Sequence, residues 1–463
     1  MIAALAAALL LAVAIGTATT RLIMRDAGPR ALALAVALGA GFGLGITACA
    51  FFVWIALIGP RASAWWLAAE VLVLAGLVLT WRQTRVVPQT QPAALPCVER
   101  PPLGWGWRLA LAASVAASAV LFLARMVSAP HGGWDAWMTW NRAARFIFRG
   151  DSHWRDAFSP VFRHPDYPLL VPGAVARAWA YAGTDSVLAP AAVAAIFTCA
   201  TIALAGAALA RLRSDRQGRL ALLLLLATPS LLTYGASQYA DIPLAFFVLA
   251  AIVLLCLHDR AQEDRGTMIL AGGAAALAAW TKNEGMLFLA AIVVARCVAV
   301  WMHHGWRRYV GELRWFTIGL VPVLAVLAYF KLHFAPVNDL VAGQGLGETL
   351  PRLMDAGRYV AVAKVFKLEV SQLGHNGLLG AVPLLIGYLL CVGVKVDPTD
   401  RPALVTVAGA LALTLVGYVI VLVAAPADFL RLLNRSVDRL LLHVWPATVF
   451  TCFMVARAPD DIE

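Results

Sequence analysis

The sequence predicts an all-α, polytopic transmembrane helical bundle, and three observations predict it. Hydrophobic residues make up 61% of the 463-residue chain and charged residues only 14%, against about 45–50% and about 25% in an average soluble chain. The apolar residues fall in blocks of roughly 18 or more, enough for a helix to cross a hydrocarbon core of about 30 Å. The basic residues bracket these blocks. A net charge of +11 would suggest a nucleic-acid binder in a soluble chain. Here topology and anionic lipid account for it, so membrane lipids are expected partners and nucleic acid is not.

The blocks follow in order. Residues 1–20 form the first span, read as retained because a basic start and a cleavage site are lacking. Residues 31–58 and 62–81 form the next two, with a turn at Gly59-Pro60 between them. A proline-rich linker over 82–106 then separates an N-terminal membrane extension, 1–106, from the remainder, 107–463. The fourth span, 108–127, runs into a long loop, 128–186. Spans follow at 187–210, 220–235, 242–257, 267–280, 286–302 and 315–330. A second long loop covers 331–377, where Gly343, Gly345 and Gly347 suit a closing segment or a plain connector. Residues 378–394, 403–425 and 443–456 complete about thirteen spans.

Arginine and lysine concentrate in alternate short connections, from Arg21 to Arg30, Arg211 to Arg219, and Arg307 to Arg314, for example. The positive-inside rule then puts the N-terminus outside, the C-terminus inside and both long loops outside. The seven cysteines show no CxxC spacing, so no disulfide framework or cysteine metal site is expected.

The chain is organised around His131-Gly-Gly-Trp-Asp-Ala-Trp-Met-Thr-Trp140, continuing to His164-Pro-Asp-Tyr-Pro168. At 100° per residue, Trp137, Trp140, Ala144 and Phe148 share one narrow arc. Asp135, Arg142, Arg145 and Arg149 share another, with Phe146 just beyond it. That pattern predicts an amphipathic juxtamembrane helix, its aromatic face in the lipid boundary. It suits an interfacial anchor with snorkelling arginines. It also suits an aspartate held at the bilayer surface for chemistry on a lipid-linked substrate.

Three polar motifs fall at span ends on the same, outer side: Trp134-Asp-Ala-Trp137, Tyr239-Ala-Asp-Ile-Pro243 and Thr281-Lys-Asn-Glu-Gly285. Each has a plain structural reading. Asp241 suits a helix cap with Pro243 in the first turn. Lys282 and Glu284 suit a solvated turn between helices. Pro165 and Pro168 around Asp166 suit a rigid bend, and His164 a structural hydrogen-bonding group.

Together with a late Arg439-Leu-Leu-Leu-His-Val-Trp-Pro446, these motifs in this order resemble the GT-C membrane glycosyltransferases. Within them the sequence is similar to the branch of protein O-mannosyltransferases, lipid A aminoarabinose transferases and bacterial lipopolysaccharide transferases. The resemblance covers roughly residues 108–456 and leaves the first three spans aside. It implies inverting transfer of a sugar from a polyprenyl-phosphate carrier to an acceptor on the outer face, in a bacterial-type inner membrane with the site facing the periplasm. The first-loop acid is the base in such proteins, and Asp135 matches it. Protein mannosyltransferases carry two adjacent acids there, whereas Ala136 follows Asp135. The resemblance therefore implies a lipid-linked glycan or envelope component ahead of a protein acceptor, with Asp166 or Asp241 as the second carboxylate. Some relatives bind a divalent ion through the first-loop acid, so metal use stays open. No other cofactor is expected.

The chemistry fits these residues independently. A hydroxyl attacking an anomeric carbon needs a base, and a positioned carboxylate typically contributes about 10²–10⁴-fold. The anionic phosphate that leaves needs cations and hydrogen-bond donors. Lys282, Arg358, Lys364, Arg435 and Arg439 are outer-side candidates, with Lys282 and Arg439 foremost. Trp134, Trp137, His164, Tyr167 and Glu284 complete the expected substrate-binding set. The rival reading is a transporter or flippase of a lipid-linked sugar, which should hold ionisable groups near the midplane on broken helices. Glu70, inside the third span, is the main residue in its favour. A third reading is an inactive scaffold in an envelope assembly.

Overall fold

The computed structural model describes residues 1–24, 29–59, 63–85, 104–261, 264–338, 345–373, 380–426 and 429–457. Most of the proline-rich linker, Pro60 and Gly343 lie outside them. The described residues are predominantly helical and form no strand. The helices in order are α1 (Ile2–Met24), α2 (Pro29–Leu57), α3 (Ser63–Arg85), α4 (Trp105–Ser128), α5 (Asn141–Arg149), α6 (Leu170–Ala182), α7 (Leu188–Leu212), α8 (Asp215–Leu226), α9 (Pro229–Ala236), α10 (Asp241–Arg260), α11 (Arg265–Thr281), α12 (Asn283–His304), α13 (Trp306–His333), α14 (Leu346–Met354), α15 (Ala356–Gln372), α16 (Ala381–Val392), α17 (Arg401–Ala424) and α18 (Phe429–Val455). A π-turn, Ala136–Trp140, and a 3₁₀ segment, Asp151–Phe158, flank α5.

Local chemistry sets several boundaries. Asp264 and Asp355 cap α11 and α15 by accepting from the amides of Gly266 and Gly357 at 2.9 and 2.8 Å. Gly183 ends α6 at φ 69°, a conformation that favours glycine.

Nine described helices are long and apolar enough to cross a membrane, or ten if α8 and α9 form one span. The expected thirteen is not reached, for identifiable reasons. The block at 220–235 is two helices bent by 63°, because Pro229 cannot continue α8 and opens α9 instead. Helix α11 has 17 residues and α16 only 12. The first half of α18 carries Arg431, Arg435, Asp438 and Arg439.

Helix α10 is the axis of the bundle. Its apolar window is 100% buried, with α7, α11 and α18 packed around it. At about 1.5 Å per residue its 20 residues span about 30 Å. Asp241 stands at one end, and Asp259 and Arg260 at the other. At that second end, Arg296 bonds Asp259 and Glu312, and Arg260 bonds Asp400.

The three N-terminal helices share the same core. Phe52 of α2 packs against Trp280 at 5.5 Å and Phe330 at 5.9 Å. Glu70 is buried in α3 and accepts from Arg177 Nε at 2.6 Å and from the Tyr181 hydroxyl. Arg177 Nη1 donates to the Ala8 carbonyl at 3.0 Å. One guanidinium thus ties α1 and α3 to α6, and Glu70 is a structural ion-pair partner. Arg177→Ala would strand Glu70, and losing one partner of a buried pair costs about 3–5 kcal/mol. We expect a markedly lower melting temperature in detergent. An unchanged value would make the first three helices a separable addition.

The first long loop also departs from expectation, because it contains the buried helix α6. Helix α5 packs against α6, so its apolar arc faces protein more than lipid. Trp140 and Ala144 are fully enclosed, and Phe148 meets Trp179 at 6.0 Å. The π-turn before α5 shifts the phase by about one residue relative to an ideal 100° wheel. Of the predicted aromatic arc, only Trp137 is exposed.

Candidate active site

The loop bearing Asp135 is fixed through two glycines. Gly132 takes φ 79°, and a Cβ on Gly133 would lie 2.6 Å from the Tyr239 hydroxyl. Lacking one, Gly133 approaches closely enough for its amide to donate to the Ser237 carbonyl at 2.9 Å. Asn141 Nδ2 donates to Gln238 Oε1 at 2.8 Å, and Gln238 Nε2 donates to the Pro130 carbonyl at 3.1 Å. The loop of Asp135 is thereby fastened to the turn that starts α10. Trp134 and Trp137 stand exposed beside Asp135, edge to face at 6.0 Å. Trp140 points inward and stacks on Tyr167 at 5.3 Å, which stacks on His164 at 4.8 Å.

Asp241 opens α10 without capping it; Ala240 holds the cap position. The carboxylate turns inward and is fully buried. It accepts from Lys282 Nζ at 3.0 Å, His443 Nε2 at 2.7 Å, and Arg439 Nε and Nη2 at 3.2 and 2.8 Å. Arg439 Nη1 reaches Asp135 Oδ2 at 2.5 Å, so one guanidinium bridges both carboxylates. Lys282 also pairs with Glu284 at 3.1 Å. It is only 3% exposed, which excludes the solvated turn. The Tyr418 hydroxyl lies 3.2 Å from His443 Nδ1. With Nε2–H donating to Asp241, Nδ1 is left to accept from Tyr418. Burying such charges costs several kcal/mol per ion, offset only when pairing is nearly complete.

Asp135 differs from Asp241 in access. Its side chain is 35% exposed against 0%, and its second oxygen makes no hydrogen bond among the described residues. Asp166 is also enclosed. Its Oδ2 accepts from Asn283 and Asn338, each at 2.8 Å, and from Lys331 at 3.2 Å. Asp166 therefore ties the first loop to the start of α12 and the chain leaving α13, and a substrate hydroxyl has no direct approach to it. Tyr167 lies between the two clusters. Burial, with Glu284, Asp166 and Asp241 adding and Arg439 opposing, pushes its phenol well above its ordinary value, so it stays a neutral donor.

The expected cations separate into two kinds. Lys282 and Arg439 are saturated by carboxylates, and Arg358 donates to the Val423 and Ala425 carbonyls at 2.5 and 2.7 Å. Arg435, one turn before Arg439 on α18, is exposed and unpartnered among the described residues, as is Lys364 on α15. The donor set does not fit a divalent ion here. Asp135 and Asp241 face each other across a guanidinium already hydrogen-bonded to both. The one convergence of metal-type ligands among the described residues, His258, Asp259 and Glu312, is at the far end, where Arg296 spans both carboxylates.

Sequence reasoning missed several members. His443 lies four residues after Arg439, so helical periodicity alone could have found it. Asn283 lies within a motif already singled out. Tyr418, Lys331, Asn141 and Gln238 carried no local signal.

The family described as dolichyl-phosphate-mannose-protein mannosyltransferase matches residues 168–338. That stretch holds Asp241, Lys282 and Glu284 and leaves out Asp135, Asp166, Arg439 and His443. No curated protein and no solved structure matches the chain.

Proposed function

We propose that this chain is a membrane glycosyltransferase that moves a sugar from a polyprenyl-phosphate carrier to an envelope glycan or lipid. The observation that carries the reading is the partly exposed Asp135 carboxylate, bridged by Arg439 to a buried Asp241 within the matched family stretch. In this reading an acceptor hydroxyl gives its proton to the unpaired oxygen of Asp135 as its oxygen attacks the anomeric carbon. The bond from that carbon to the carrier phosphate breaks, and configuration inverts. Asp241, Lys282 and His443 position Arg439, which orients Asp135. The exposed Arg435 and Lys364 are better placed than the saturated Lys282 to receive the departing phosphate. The matched family's description names a protein acceptor, but Ala136 follows Asp135 where a second acid is expected, which favours a glycan or lipid. Motif sidedness supports a periplasmic-facing site in a bacterial inner membrane.

The transporter reading loses its main support, since Glu70 is neutralised by Arg177. The test is incubation of the purified protein with a panel of polyprenyl-phosphate sugars and envelope acceptors, measuring free polyprenyl phosphate. One carrier sugar should be consumed in an acceptor-dependent way. Movement of intact carrier sugar across vesicles, with no release, would favour the transporter.

A further inference from the structure

Tyr239 has no part in the chemistry above, yet its side chain touches both halves of the site. It stands two residues before Asp241, in the connection between α9 and α10. Its ring lies against the Arg439 guanidinium, with Cζ 4.9 Å from the ring centroid. The guanidinium nitrogens are held in their plane by Asp135 and Asp241, and the Tyr239 ring covers a face that those bonds leave open. The first loop closes on the other end of the same side chain. The Asp135 amide donates to the Tyr239 hydroxyl oxygen in a long bond of 3.5 Å, and a Cβ on Gly133 would lie 2.6 Å from that oxygen. Tyr239 is itself backed by Tyr234, ring to ring at 5.6 Å. The Tyr234 hydroxyl bonds Asp438, the neighbour of Arg439. The two tyrosines thus tie the first loop to the turn of α18 that carries Arg439.

None of these tyrosine contacts depends on the charge of Asp135. The ring attracts Arg439 through its face, and the hydroxyl accepts from a backbone amide. Burial raises the Tyr239 phenol above its ordinary value, so the side chain stays neutral. The bond between Asp135 and Arg439 is different. It is charge-assisted, about twice as strong as a neutral bond, and it weakens when the carboxylate takes up a proton. We propose that Tyr239 is a positioning residue of the site, a clamp that keeps the Asp135 loop and Arg439 in register while Asp135 is neutralised by the acceptor's proton. Without the clamp the loop is free to move as the base loses its charge, and a misplacement of about 1 Å can cost about 10²-fold in rate. The catalytic consequence rests on the glycosyltransfer reading, whereas the clamp itself does not.

The test combines hydrogen–deuterium exchange of the purified full chain in detergent with steady-state transfer from the polyprenyl-phosphate sugar that the panel above shows to be consumed. Exchange is read by mass spectrometry on peptides covering residues 132–137, which include the Gly133 and Asp135 amides. Tyr239→Leu should speed exchange there at least about tenfold. Asp135→Asn removes the ion pair and leaves the clamp, so it should keep the loop's protection to within about threefold. In transfer, Tyr239→Leu should lower kcat at least about tenfold, the loss of a desolvated cation–π contact, with KM for the carrier sugar within about threefold. Tyr239→Phe keeps the ring and should restore kcat to within about threefold of the wild type. If Tyr239→Leu does not fold, Tyr239→Phe decides, with exchange at least about threefold faster than in the wild type. The proposal is overturned if the deciding variant exchanges at the wild-type rate, if Asp135→Asn exposes the loop as fully as Tyr239→Leu, or if Tyr239→Phe transfers no better than Tyr239→Leu. Faster exchange in the Tyr239 variants of a protein that transfers sugar from no carrier would keep the clamp and remove the transferase reading.

Discussion

Asp135→Asn should lower turnover by about 10²-fold or more while leaving donor binding largely intact. Asparagine keeps the size of the side chain and an oxygen for Arg439, but it cannot take a proton from an acceptor hydroxyl. A capping role would predict almost no effect, because Asn and Asp cap about equally, and Asp135 makes no side-chain cap bond in any case. A lipid-anchoring role would also predict little, since Trp134 and Trp137 are the exposed side chains there. The measurement is single-turnover sugar transfer alongside equilibrium binding of the carrier sugar. Near wild-type transfer by a folded Asp135→Asn protein would remove Asp135 as the base. Asp166 is too enclosed to replace it without movement of the Asn338 segment. Loss of both binding and turnover would make Asp135 a donor contact instead.

The sequence carried the site's general location better than its wiring. That Asp135, Asp241 and Lys282 share one end of the bundle was legible, because apolar blocks and basic loops alternate and put all three at span ends of the same parity before any contact was known. The ion-pair network was not legible. Asp241 and Arg439 are 198 residues apart, and no local pattern says which carboxylate a guanidinium will choose. That choice turned Arg439 and Lys282 from free phosphate ligands into partners of Asp241. The aromatic arc misled for a different reason. A π-turn changes the phase of a helix, and periodicity assumes none. Nor does hydropathy say what a helix packs against. The N-terminal helices read as an extension because the family resemblance begins after them, yet Glu70, Arg177 and Phe52 bind them into the common core.

Asp241→Asn should have the larger effect on stability. Asp241 is fully buried and receives four hydrogen bonds from three basic side chains. An asparagine offers one acceptor oxygen, and its amide hydrogens would point at a lysine or an arginine. Removing one partner from such a buried group costs about 3–5 kcal/mol, a large share of a typical folding free energy of about 5–15 kcal/mol. The expected result is a strongly lowered melting temperature, with transfer lost as well because Arg439 is no longer fixed beside Asp135. The cause can be isolated. Adding Lys282→Met to Asp241→Asn removes one of the stranded cations, so the double variant should melt above Asp241→Asn alone. This non-additivity is expected when two groups share a network. Strictly additive losses would show that the two side chains do not depend on each other. An Asp241→Asn protein that melts with the wild type would mean the carboxylate is not needed to hold these cations together. Lys282 and Arg439 would then return as ligands for the carrier phosphate.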